Sequence, residues 1–137
     1  MNTFYTTTEN RRWMLVDDSE QILCLMANLA GRMTSAVIEC YNSPQSALAA
    51  FAAAPGKYEL VITDLDMPEM DGVELCRRMR EISLMLNIFL ATGSDFFSEA
   101  AAAHAGFSGL LKKPFPADHL HETLVDAGVE VALPMSA

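Results

Sequence analysis

The chain has 137 residues, 51% of them hydrophobic, and a formal net charge of −9 at pH 7, with a pI near 4.6. That length makes one domain able to bury roughly two-thirds of its unfolded surface, and the apolar content excludes disorder for its body. The acidic balance argues against direct binding to DNA or RNA, which needs a basic face, and is also an ordinary way to keep a small protein soluble.

Residues 1–10 are polar and without period, which predicts a flexible N-terminal tail. Trp13-Met14-Leu15-Val16 is a continuous apolar run ending in Asp17-Asp18, the pattern of a fully buried parallel strand. Ile22, Leu25, Met26 and Leu29 recur at helical spacing over 19–30, predicting an amphipathic helix closed by Gly31. Ala36-Val37-Ile38 reads as a second strand, and Ser43-Pro44 as a cap and first-turn proline opening a helix with Ala47, Leu48 and Phe51 inward. Pro55-Gly56 stops that helix.

The third strand, 59–63, is the most informative. Its apolar run Leu60-Val61-Ile62 turns abruptly polar, with Asp64, Asp66, Glu69 and Asp71 close together. Asp71 with Glu74 resembles a capping box, and the helix it opens is expected to bury Val73, Cys76, Met79 and Ile82. Ile88 to Ala91 is a fourth strand ending in Thr92-Gly93, and 95–104 an alanine-rich helix. Gly109-Leu110-Leu111 is a short fifth strand ending in Lys112-Lys113-Pro114. Pro116 starts a last helix with Leu120 and Leu124 inward and Gly128 as its stop. Residues 128–137 read as a C-terminal tail or a truncated linker, so the domain is expected over 11–127.

Five strands alternating with five helices imply an α/β fold: a parallel sheet with right-handed crossovers and helices on both faces. Cys24, Cys40 and Cys76 are an odd set without metal-type spacing, each inside an apolar segment. They are expected to be reduced core residues of a cytoplasmic protein. Only four apolar residues follow Arg11-Arg12 before Asp17, too few for a signal core or membrane insertion. His104, His119 and His121 form no ligand constellation and are expected at the surface or its boundary.

The polar residues that interrupt the apolar pattern all fall at strand ends: Asp17 and Asp18 after the first, Asp64 after the third, Thr92 after the fourth, Lys113 after the fifth. In a parallel sheet these carboxyl-terminal ends share one edge, where open α/β sheets place their ligands. Each residue has a plainer reading; Asp17-Asp18, for instance, could serve only to cap a helix. Together they point to one crevice. Crowded carboxylates call for a cation, and oxygen-only ligands favour Mg²⁺. Asp64 is then a carboxylate nucleophile able to take a phosphoryl group, with Lys113 and the Thr92 hydroxyl covering phosphate oxygens.

These motifs resemble the response-regulator receiver domains of two-component signalling. The matching pieces are Val16-Asp17-Asp18, Asp64-Leu65-Asp66-Met67-Pro68 through Asp71-Gly72, Ala91-Thr92-Gly93 and Lys113-Pro114-Phe115. The resemblance implies a flavodoxin-like doubly wound sheet in order 2-1-3-4-5. It implies phosphotransfer to Asp64 from a histidine kinase or histidine phosphotransfer protein, then slow self-dephosphorylation. It implies a Mg²⁺ site with Asp18 binding directly, Asp17 largely through water and Asp66 through its backbone carbonyl. It selects Lys113 over Lys112, which is left as a solvated edge charge, and it favours a cis Lys113–Pro114 bond. Leu110 stands where the family often has an aromatic switch residue.

Phe96, Phe97, Phe107 and Leu110 surround the fourth helix and fifth strand, a face that receivers present to partners. They are either plain core or a patch that docks an unknown output protein when Asp64 is phosphorylated. A homodimer is plausible from the resemblance alone. Two other functions share part of this pattern. Asp64-Leu65-Asp66 is similar to the Asp-x-Asp of haloacid-dehalogenase-like phosphatases, but Met67-Pro68 replaces that family's small residue and threonine. A degenerate, phosphate-independent binding module would not need the intact acidic and basic set.

Overall fold

The computed structural model describes residues 11–132; the tail expected over 1–10 lies outside them. The elements are β1 (Arg12–Val16), α1 (Glu20–Gly31), β2 (Val37–Tyr41), α2 (Pro44–Ala53), β3 (Tyr58–Asp64), α3 (Gly72–Ile82), β4 (Asn87–Thr92), α4 (Glu99–His104), β5 (Gly109–Lys112) and α5 (Ala117–Asp126), with a 3-10 turn at Pro55–Lys57. The five strands are parallel and ordered β2-β1-β3-β4-β5, the flavodoxin-like arrangement that the family resemblance implies. No helix among the described residues is long and apolar enough to cross a membrane.

Alternate strand residues feed two cores, one on each sheet face. Met14, Val16, Val61, Ile88 and Leu90 pack with Phe51, Leu75 and Met79 under α2, α3 and α4. Trp13, Leu15, Leu60, Ile62, Phe89 and Leu111 pack with Leu23, Met26, Leu120 and Leu124 under α1 and α5. The central strands are buried on both sides, which is why they read as unbroken apolar runs.

The helix caps follow the sequence. Ser43 accepts from the Ser46 amide at 3.4 Å with Pro44 as the first helical residue, and Asp71 accepts from the Glu74 amide at 2.8 Å. Gly128, at φ 84°, ends α5 as expected. Gly31 does not act that way: it is the last residue of α1, and Arg32 caps the helix in ordinary right-handed geometry.

Several inward faces are corrected. The helix over 20–31 is apolar on most of its circumference, and the stripe that meets the sheet is Leu23, Met26 and Ala30, leaving Leu25 60% exposed. Ile82 ends α3 and is exposed, while Leu75 takes the inward place beside Cys76 and Met79. The second strand runs over Val37–Tyr41, later than expected, and α4 starts only at Glu99, capped by Ser98. The chain beyond 127 is not a free tail at first: Val129 is buried and the Ala132 amide donates to the Met33 carbonyl at 2.8 Å. Of the cysteines only Cys76 is in the core; Cys24 and Cys40 are unpaired and exposed. Their segments are apolar, but Cys24 sits on the flank of α1 and Cys40 on an edge strand.

Phe107 and Leu110 are core residues and Phe97 packs against that core, so the expected docking patch reduces to Phe96, which is 98% exposed. Leu110 pairs in register with Leu90 on a buried strand face, which draws it inward. Sequence periodicity over a four-residue strand cannot settle which face is covered.

Candidate functional site

Four strand ends meet at one edge of the sheet. Asp17 follows β1, its amide bonded to the Tyr41 carbonyl at 3.1 Å, and its Oδ1 accepts from the Ser19 amide at 2.9 Å. Ser19 in turn caps α1. Asp64 is the last residue of β3 and Thr92 the last of β4. Lys113 follows β5; its amide donates to the Thr92 carbonyl at 2.8 Å, and its peptide bond to Pro114 is cis.

The Lys113 ammonium bridges the two buried acids. Its Nζ lies 2.7 Å from Asp17 Oδ2 and 3.0 Å from Asp64 Oδ1. Asp17, Asp18 and Asp64 each offer a carboxylate oxygen, all within 4.8 Å of one another. Asp17 is only 1% exposed, whereas Asp18 stands at the rim. Burial is the main influence on Asp64 and lifts its carboxyl above the usual range; the Lys113 hydrogen bond opposes this and the Asp17 charge adds to it. Burial alone would lower the Lys113 ammonium, but its bonds to Asp17 and Asp64 outweigh it and hold the group above its ordinary value.

Thr92 and Asp66, also expected at the site, and Lys112, passed over for Lys113, are placed as follows. Thr92 is buried, and its Oγ1 accepts from the Ser94 amide at 3.1 Å. Asp66 is exposed and outside the acidic cluster. Lys112 is more than a solvated edge charge: its Nζ donates to the Ser94 carbonyl at 2.7 Å and pairs with Asp95 at 2.9 Å, tying down the loop after β4.

The loop after β3 is held by features that sequence reading passed over. A Cβ on Gly72 would lie 2.2 Å from the Asp64 carbonyl oxygen. The Gly72 amide bonds the Leu65 carbonyl at 2.8 Å, and the Thr63 hydroxyl bonds the Asp64 carbonyl at 2.9 Å. The sequence shows Asp71 as a helix cap and Asp71-Gly72 as part of the family match, but not this close approach. Glu69 has φ 74° at the centre of a three-residue turn closed by the Met70 amide on the Pro68 carbonyl at 2.8 Å, a strained geometry for a residue with a Cβ. Beside the pocket, Ile22, Leu25, Met26 and Leu29 of α1 face Pro114 and Phe115 across an apolar groove of about 540 Å³ that Lys113 also lines.

The acidic pocket lies at the carboxyl ends of parallel strands, where open α/β sheets hold their ligands. The family model described as the response regulator receiver domain matches residues 14–125, and the chain belongs to that family, the receiver domains of two-component signalling. The alkaline phosphatase synthesis transcriptional regulatory protein PhoP of Bacillus subtilis (strain 168) is 28% identical over 107 residues, 77% of this chain and 43% of PhoP. Histidine kinase 2 of Arabidopsis thaliana is 30% identical over 111 residues, 73% of this chain and 9% of that protein. The chain thus spans less than half the length of either relative. The crystal structure of the signal receiver domain of an HD domain-containing protein from Pseudomonas fluorescens Pf-5 superposes with a TM-score of 0.77 at 26% identity, covering 93% of this chain and 92% of that one.

Proposed function

We propose that this receiver domain is a phosphoacceptor switch in which Asp64 takes a phosphoryl group from a phosphohistidine donor, a histidine kinase or a histidine phosphotransfer protein. The observation that carries the reading is the Lys113 ammonium held between Asp17 and Asp64 at 2.7 and 3.0 Å. A carboxylate whose charge is already balanced by a fixed cation is poised to receive an anionic group.

The donor set fits a hard divalent cation: three carboxylates and neither nitrogen nor sulfur. Asp17, Asp18 and Asp64 would hold Mg²⁺, with the Asp66 carbonyl as a further ligand, and the ion supplies charge neutralisation of the phosphoryl oxygens. The protein's own groups do the rest. An Asp64 carboxylate oxygen attacks phosphorus, the P–N bond to the donor imidazole breaks, and the imidazole leaves as the neutral base after taking a proton from solvent. Lys113 then shifts its ammonium from carboxylate to phosphoryl oxygen. The Thr92 hydroxyl leaves its bond with the Ser94 amide to donate to another phosphoryl oxygen. That pulls on the loop which Lys112 holds through Ser94 and Asp95, and so alters the exposed surface around Phe96. A phosphate adds about −1.5 to −2 charges, enough to bias such a loop. The apolar groove along α1 borders Lys113 and suits an apolar helix face of the donor.

The test is incubation with Mg²⁺ and a small acyl phosphate, read by intact mass. One phosphate should be gained, lost in Asp64→Asn and dependent on Mg²⁺. An unmodified wild-type mass, or an unchanged gain in Asp64→Asn, would overturn the assignment. Turnover of p-nitrophenyl phosphate would instead favour a phosphatase.

A further inference from the structure

Cys24 and Cys40 fall together in space. Cys40 pairs in register with Leu15, and paired residues of adjacent strands share a sheet face. Leu15 belongs to the core beneath α1 and α5, so the Cys40 side chain stands on the side α1 covers. On α1, Leu23 points into that core, and Cys24 lies one step round the helix, on the flank that also carries Glu20. Both cysteines line one groove between α1 and β2, together with Leu23, Tyr41 and Ser46. Both are exposed, and β2 is the edge of the sheet, so no further strand covers them. Cys76, on the inner face of α3, is buried in the core on the opposite face of the sheet.

We propose that Cys24 and Cys40 are a peroxide-responsive thiol pair that closes to a disulfide between α1 and β2, beside the acidic pocket. Burial, and to a lesser degree the neighbouring Cys24, holds the Cys40 thiol above its usual range, which suits Cys40 to the resolving role. The Cys24 thiolate attacks one oxygen of hydrogen peroxide and the O–O bond breaks. The departing hydroxide takes a proton to become water, and Cys24 is left as the sulfenic acid. The Cys40 sulfur then attacks the Cys24 sulfur, the S–O bond breaks, and the Cys40 proton leaves with that oxygen as a second water. Two thiols and one peroxide give one disulfide and two waters.

The bond would fasten the strand end whose next residue, Tyr41, already accepts from the Asp17 amide at 3.1 Å. It closes a loop that includes the rest of α1, so the oxidised chain should melt at a higher temperature than the reduced one.

The experiment treats the full chain with graded hydrogen peroxide, alkylates it with iodoacetamide, and reads intact mass and a non-reducing digest. The expected product is monomeric, lighter by two hydrogens, with the Cys24 and Cys40 peptides joined and released again by dithiothreitol. Cys76 should label only after unfolding. Asp64→Asn should give the same result, so the outcome is independent of phosphate acceptance. In Cys40→Ser, dimedone should trap the Cys24 sulfenic acid. The inference is overturned if wild-type Cys24 accumulates oxygen while Cys40 stays open to alkylation. It is equally overturned if the only disulfide formed joins two copies of the chain, or if Cys76 takes part.

Discussion

Gly72 presses its Cα against the carbonyl of Asp64, so that a methyl group there would sit 2.2 Å from the carbonyl oxygen. The first turn of α3 and the end of β3 are therefore set by one another. Gly72→Ala is expected to push the Asp64 backbone aside at a cost of about 1–3 kcal/mol, the range of forced overpacking. Denaturant unfolding measures the loss, and phosphate uptake should fall with it. Wild-type stability and uptake in Gly72→Ala would mean that the contact is slack.

Lys113 balances two acids that have little access to water. Its side chain is 20% exposed, and that of Asp17 only 2%. Removing it in Lys113→Met is expected to cost about 3 kcal/mol at neutral pH, because buried charge is left without its partner. Adding Asp17→Asn to that variant should recover part of the loss. A double-mutant cycle with no coupling between the two positions would contradict the bridge.

Glu39 gathers Arg12, Tyr41 and Tyr58 on β1, β2 and β3. Burial would raise its carboxyl, but the Tyr58, Arg12 and Tyr41 bonds together outweigh burial and hold it below the usual range. A depressed carboxyl stabilises the fold above its unfolded pKa, about 4.3–4.5. That contribution disappears as pH falls through the lower folded value. Tyr58→Phe should therefore cost about 1.5–3 kcal/mol at pH 7, the range for a bond to a charged group, and progressively less as pH falls through the depressed folded value and Glu39 takes a proton. Urea melts at pH 7 and below that folded value decide it; an equal cost at both would refute the role of the charge.

Arg80 of α3 reaches three neighbouring backbones. Its guanidinium donates to the Gly106 carbonyl at 2.9 and 3.0 Å, to the Leu84 carbonyl at 3.1 Å and to the Leu86 carbonyl. A lysine has no fork to match these acceptors. Arg80→Lys should consequently lose nearly as much stability as Arg80→Ala, about 2–3 kcal/mol in each case given several bonds to a charged donor. Full rescue by lysine would show that charge alone suffices.

Glu69 holds a positive φ that favours glycine. Glu69→Gly should leave stability within about 1 kcal/mol of wild type, since relieved strain offsets the greater freedom of the unfolded chain. Glu69→Val should lose about 1–3 kcal/mol. Similar melting temperatures for the two variants would place no strain at this turn.

The architecture was legible because its signals are long and redundant: buried strands written as unbroken apolar runs, and caps such as Ser43 and Asp71 ahead of their helices. The crevice was legible for a topological reason. Once the strands are parallel, Asp17, Asp64 and Lys113 must reach the same edge, and their 2.7 and 3.0 Å contacts follow. What escaped was rotation and side. Leu25 and Leu23 fit the same helical period, and only the sheet's position chooses Leu23. Cys24 and Cys40 sit in apolar company by sequence, yet one flanks a helix and the other an open edge. Close approaches such as Gly72 to Asp64 leave no mark in composition, because a turn glycine and a contact glycine are written alike.

Arg11 and Arg12, at the amino end of β1, pair with Glu59 and Glu39 and stand at the opposite pole from Asp17 and Asp64. The arginine–carboxylate pairs and the acidic pocket are therefore lodged in different hemispheres of one small body. The lower pole can be rebuilt residue by residue, for heat or for acid, while the upper one is left to its chemistry.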